Sequence, residues 1–129
     1  MIKTEKVIIE GREYWLKCTI ATVELYERMT GNKFATVLSN LAHMQSLGDD
    51  LGEMMDSVLQ LQSDTMKLAY VMILEAQKDG LNKDFAMSLD EWLSSLGALE
   101  GEALKGVLAT AMSVFPRSLS KRTEKAEQN

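Results

Sequence analysis

The hydrophobic pattern of this chain opens with a period of two and then switches to the 3.6-residue period of helices. Between Glu5 and Cys18 two strand-like runs, EKVIIE and REYWLKC, flank Gly11. With Glu10 and Gly11 as a two-residue loop, Ile9 pairs with Arg12, Val7 with Tyr14 and Glu5 with Leu16. Alternation then puts Val7, Ile9, Tyr14, Leu16 and Cys18 on one face, and Lys6, Ile8, Glu13, Trp15 and Lys17 on the other. A lone hairpin is marginal in water, so the first face must dock on the rest of the chain or be extended by another chain. Ile8 and Trp15 are left over on the second face. Either they form a surface pair shielded by lysine stems, or they mark a protein contact, where tryptophan is enriched.

Helical spacing follows. Thr19 is placed to cap a helix over Ile20–Met29 that Gly31 stops. On it Glu24, Glu27 and Arg28 share one face, and Ala21, Leu25 and Met29 share another with Tyr26 beside them. The next stretch is amphipathic, with Phe34, Val37, Leu38, Leu41 and Met44 to Gln45 inward, and Thr36, Ser39, Asn40 and His43 outward. Gly48, Asp49 and Asp50 break it. Leu51, Met54, Met55, Val58, Leu59 and Gln62 form a further stripe, which Gly52 weakens at its start. The stretch DTMKLAYVMILEAQKDG, Asp64 to Gly80, is apolar on almost every side. Such a helix is buried, and this one reads as the spine of the domain, capped by Ser63 or Asp64 and ended by Asp79-Gly80. Ser88 and Glu91 make a capping box, with Met87 and Trp92 as a hydrophobic staple. Leu89, Trp92, Leu93 and Leu96 face inward before Gly97. A last helix begins around Glu102, buries Leu104, Val107, Leu108, Ala111, Met112 and Phe115, and stops at Pro116.

These elements predict a mainly α (α+β) fold, an N-terminal β-hairpin followed by a compact bundle of five or six helices. Residues 1–116 form that single domain. Residues 117–129, RSLSKRTEKAEQN, have the polar composition of a disordered tail.

Composition narrows the function more than the fold. A length of 129 residues allows one core. A net charge of −5 and a pI near 4.9 argue against a nucleic-acid module, which needs a basic face. The tail, with four basic and two acidic residues, carries +2, leaving −7 on the body. The sequence has no apolar run of signal-peptide or membrane length. The single cysteine, Cys18, can form no internal disulfide, which fits a reducing cytoplasm. Nine methionines serve either as core filler or as an adaptable binding surface.

Candidate chemistry is sparse. His43 lies on a polar helix face with no second ligand at metal spacing. Cys18 faces inward, away from any pairing with His43. Asp49, Asp50, Glu53 and Asp56 suit a helix N-terminus and lack the spacing of a calcium loop. Gly97, Gly101 and Gly106 follow no strand and make no phosphate loop. We therefore expect no catalytic, cofactor-binding or metal residues, no small-molecule substrate, and no nucleic-acid or membrane partner. The candidate protein-contact residues are Ile8, Trp15, Met54, Met55 and Met87.

The order of elements carries one resemblance. A hairpin with a glycine turn, VIIEGREYWLKC, leads to an acidic helix closing on glycine, TVELYERMTG, and an amphipathic helix, KFATVLSNL. An apolar helix, MKLAYVMILEA, a capped acidic one, MSLDEWLSSL, and a last helix with a short tail, LKGVLATAMSVFPRS, complete it. Over roughly residues 5 to 118 this resembles the tail assembly chaperones of long-tailed bacteriophages and prophages. Glu10 departs from the asparagine often found before the turn glycine in that family. The resemblance implies a non-catalytic, cytoplasmic escort, not expected in the mature virion. Its partners would be the tape measure protein and the tail tube protein. It also implies a longer frameshifted product, of which this would be the short form. A connector or tail-completion protein, or a host helical interaction module, is the alternative, and a homo-oligomer stays open.

Overall fold

The computed structural model describes residues 3–46, 55–97 and 101–114; side chains at 41–46, 55–61, 101–103 and 105 fall outside the description. Strands β1 (Thr4–Ile9) and β2 (Arg12–Lys17) form an antiparallel hairpin. Among the described residues five helices follow: α1 (Ile20–Thr30), α2 (Phe34–Ser46), α3 (Met55–Gln77), α4 (Leu89–Ser95) and α5 (Gly101–Ser113). The fold is thus the α+β arrangement expected, with the hairpin first and five helices after it.

The hairpin register is the predicted one, Ile9 opposite Arg12, Val7 opposite Tyr14 and Glu5 opposite Leu16. Its two-residue turn places Glu10 at φ 49° and Gly11 at φ 82°. Positive φ at both positions defines a type I′ turn, which matches the twist of the strands. Glycine adopts it freely, while a glutamate there is strained. A contact offsets that strain: the Gly97 N–H donates to Glu10 Oε1 at 2.9 Å, fastening the turn to the end of α4. On the inner face Val7, Ile9, Tyr14, Leu16 and Cys18 are all buried. α3 packs against β2 and α5 against β1, so the sheet is covered on that side.

α3 is the spine, and from Asp64 to Ala76 nearly every residue is buried. Its start corrects the sequence reading. Ser63 and Asp64 do not cap a helix; α3 runs through them as one element of 23 residues. A break there would expose up to four N–H and four C=O groups of each new helix end, in a stretch where Asp64 and Thr65 are buried. A continuous ladder satisfies them. Gly80, at φ 82°, closes the turn after the helix.

α1 is a second correction. Its inward residues are Thr22 and Tyr26, whereas Ala21 and Met29 are exposed and Leu25 only half-buried. The cause is local. Thr19 N–H donates to Thr22 Oγ1 at 2.9 Å, and Thr22 N–H donates to Thr19 Oγ1 at 3.3 Å. That reciprocal capping box turns Thr22 inward. Tyr26, one turn on, then meets Phe34 edge to face with ring centroids 6.0 Å apart. Gly31 ends the helix at φ 75° as predicted.

In α2 Phe34 and Val37 are buried and Leu38 packs against the core. Ser88 caps α4, accepting from Glu91 N–H at 3.2 Å. Trp92 is buried beneath it. In α5 Leu104, Val107, Leu108, Ala111 and Val114 are buried, with Met112 against them. The expected break at Gly48–Asp50, the acids Asp49, Asp50 and Glu53, Phe115, Pro116 and the tail 117–129 lie outside the described residues, as do the side chains of Asp56 and His43.

Candidate protein-contact site

The outer face of the hairpin leaves two large apolar side chains on the surface. Ile8 is 62% exposed and Trp15 37%. They are not directly opposite each other: Ile8 faces Glu13, and Trp15 faces Lys6. Lys6 sits with its ammonium 5.9 Å from the Trp15 ring centroid and 3.5 Å from a Glu13 oxygen. The lysine stem therefore covers part of the tryptophan while the charge stays in water. Ile8 has no such cover, and Ile20 at the start of α1, 67% exposed, adds an apolar side chain sequence reasoning passed over. Its position at the first helical residue, just after an N-cap, was the available signal.

Backbone contacts hold Trp15 in place. Its N–H donates to Asn82 Oδ1 at 2.8 Å, and its C=O accepts from Asn82 Nδ2 at 2.8 Å. A side-chain amide thus copies the pairing of a neighbouring strand. Asn82 is at φ 51°, a conformation asparagine tolerates better than most residues. Its Nδ2 also donates to Ile73 O at 3.2 Å, and Gln77 Nε2 donates to the carbonyls of Asn82 (3.0 Å) and Phe85 (2.6 Å). Lys17 adds an ion pair with Asp79 at 2.7 Å. The 78–87 segment is a clasp between α3 and the outer edge of β2.

Beneath the clasp lies an aromatic cluster. Phe85 meets Tyr14 at 5.8 Å, Tyr70 at 5.8 Å and Trp92 at 5.4 Å, all edge to face. Trp92 Nε1 donates to Met66 O at 2.9 Å, and the Tyr70 hydroxyl to Met87 O at 2.8 Å. Met87, expected as a contact residue, is half-buried and packs against the core. It lines two neighbouring clefts. One, of about 410 Å³, runs between Arg12–Tyr14 and Asn82–Met87. The other, of about 250 Å³, lies by the hairpin turn against Trp92 and Leu96. Of the remaining expected residues, Met54 is outside the described residues, and Met55 opens α3 with its side chain outside the description. Among the described residues, Ile8 and Trp15 share the outer hairpin face, and Met87 belongs to the clefts beside β2.

Cys18 and Tyr26, both buried, are not among the residues that line these clefts. Burial, with the charge of Glu75 added, pushes the Cys18 thiol up to about 12. Such a thiol is protonated and unreactive at neutral pH. Burial, with Asp64 added, pushes the Tyr26 hydroxyl up to about 12. Glu75 is itself buried and pairs with Lys78 at 2.9 Å. Among the described residues no three histidine, cysteine or acidic side chains converge as a metal site, and no helix is long and apolar enough to cross a membrane.

Compared with known proteins, the chain matches no family model, no curated protein and no solved structure.

Proposed function

We propose that this protein is a non-catalytic tail assembly chaperone of a long-tailed phage or prophage. In this reading it binds and keeps soluble the tape measure protein, and helps gather tail tube subunits around it. The observation that carries the reading is the outer face of the hairpin. An N-terminal hairpin, held on α3 and α5, presents Ile8 and Trp15 to solvent while its other face is buried in the core. From Asp64 to Ala76 the spine helix offers no such surface, because its apolar side chains there are buried or half-buried.

An escort for a long helical client needs many weak apolar contacts. Isolated side chains such as Ile8 supply them singly, and repeated engagement along one client raises the effective concentration of each next site. The acidic body keeps the assembly in solution. Ile20 and Met29, both exposed on α1, extend the apolar supply.

The test is co-expression with the long open reading frame that would lie just downstream. The client should move from the pellet to the soluble fraction when this chain is present, and less so with the Ile8→Glu, Trp15→Glu double variant. A client equally insoluble with and without the chain would sink the proposal. A chain found by mass spectrometry in purified virions would favour the connector reading instead.

A further inference from the structure

We propose that β2 carries a self-complementary edge, through which two copies of this chain join once the segment 79–82 lifts off it. The proposal does not rest on the chaperone reading.

The bonds to Asn82 fix which way the edge faces. Trp15 gives both its backbone groups to that side chain, so both point away from β1. In a regular strand Glu13 and Lys17, two residues to either side, point the same way. The outward row of β2 is therefore acid, indole, base. A second copy running antiparallel offers the same row in reverse. With a two-fold axis at Trp15, the two Trp15 residues meet each other, and each Glu13 meets a Lys17 of the second copy. Both opposed charge pairs then flank a pair of indoles on one face, and such cross-strand pairs stabilise a sheet. The edge of β1 fails the same test. Lys6 lies opposite Trp15, so Thr4, Lys6 and Ile8 form its outward row. The centred register there would set lysine against lysine.

Asn82 stands where the second copy's Trp15 would. Its Oδ1 takes the place of that residue's carbonyl and its Nδ2 the place of that residue's N–H, each at 2.8 Å. Asp79 takes the place of the second copy's Glu13, holding the Lys17 ammonium at 2.7 Å. Two side chains of one short segment thus imitate a partner strand at two successive positions of the row. Gly80 lies between them at φ 82° and serves as a pivot, while Asn82 is held at φ 51°, a strain that lifting relieves. The closed and paired states satisfy the same groups of Trp15 and Lys17, so protein concentration decides between them.

The test follows the full chain by light scattering on a sizing column over a range of concentrations. The Asp79→Ala, Asn82→Ala double variant, its fold checked by amide spectrum, should move from monomer to dimer at concentrations where the unsubstituted chain does not. Asn82→Asp keeps an acceptor for Trp15 N–H and loses the donor to its carbonyl. It should dimerise more weakly, and it carries the test if the double variant does not fold. Glu13→Lys, added to either background, should weaken the dimer roughly tenfold, because Lys17 then faces a lysine. Adding Lys17→Glu to that form of the double variant should restore it. A folded variant that associates no more than the unsubstituted chain at any concentration overturns the proposal. So does a dimer indifferent to Glu13→Lys, which would place the contact on another surface.

Discussion

The two tryptophans live under opposite rules. Trp92 is 1% exposed, gives its indole N–H to Met66 O, and meets the rings of Tyr14 and Phe85 edge to face. Trp15 lies 37% exposed on the hairpin, its ring against a lysine and its backbone clasped by Asn82. One is held by its side chain and the other by its backbone. A buried aromatic with its polar atom satisfied specifies the fold. An exposed one, fixed in position but not packed, is free to specify a contact.

The largest effect should come from the packed member of the pair. Trp92→Ala should cost about 3–5 kcal/mol in urea unfolding, since it leaves a cavity beneath α4 and removes a buried hydrogen bond. A loss below 1 kcal/mol would break the comparison at its firmer end. Next comes the clasp. Asn82→Ala removes three hydrogen bonds at once and should cost roughly 1–3 kcal/mol. Asn82→Gly should cost less than Asn82→Ala by about 0.5–1 kcal/mol, because glycine relieves the positive φ. Equal losses would mean that strain plays no part there.

Tyr26 sharpens the comparison from the other side, as a buried aromatic whose polar atom is not satisfied. Among the described residues its hydroxyl has no hydrogen-bond partner of good geometry. Tyr26→Phe should therefore be neutral or stabilising by up to about 1 kcal/mol. The same hydroxyl, with the Cys18 thiol, sets an alkaline limit. Their ordinary values are 10.0 and 9.0, and both rise to about 12 in the fold. Below pH 9 neither affects stability. As pH rises from 9 to 12 the unfolded chain loses protons that the folded chain keeps, so stability falls. Urea midpoints across that range should fall, and should fall less steeply in a Tyr26→Phe, Cys18→Ala variant. The smallest effect belongs to the exposed pair: Ile8→Thr and Trp15→Thr should each change stability by no more than about 0.5 kcal/mol. A larger loss for Trp15→Thr would show that its ring, and not only its backbone, holds the hairpin down.

Much of the hairpin was legible because a two-residue loop leaves one register, and alternation then assigns every side chain to a face. Trp92, behind a serine cap and at the staple position, was legible for a similar local reason. The failures also have physical causes. Ser63-Asp64 looked like a helix start because both residues favour caps, a preference worth about 1 kcal/mol. An unbroken ladder within α3 outweighs it. In α1 the face of Ala21, Leu25 and Met29, with Tyr26 beside it, is buried at Tyr26 and half-buried at Leu25, while a threonine pair turned the helix so that Thr22 also faces the core. Asn82 was out of reach in another way. It acts on a residue 67 positions earlier, and no local pattern announces that. The cleft beside β2 depends on that same segment, so it could not be drawn from sequence either, apart from Met87.

Synthesis order gives the clasp a further meaning. The hairpin leaves the ribosome before its clasp, and the asparagine that closes its outer edge is translated 67 residues after Trp15. At 5–20 residues per second that is a delay on the order of 3 to 13 seconds. The residue that fastens the turn, Gly97, comes later still. For that interval the nascent strand is an open template for any neighbouring extended chain, and its own downstream sequence is what finally takes the place.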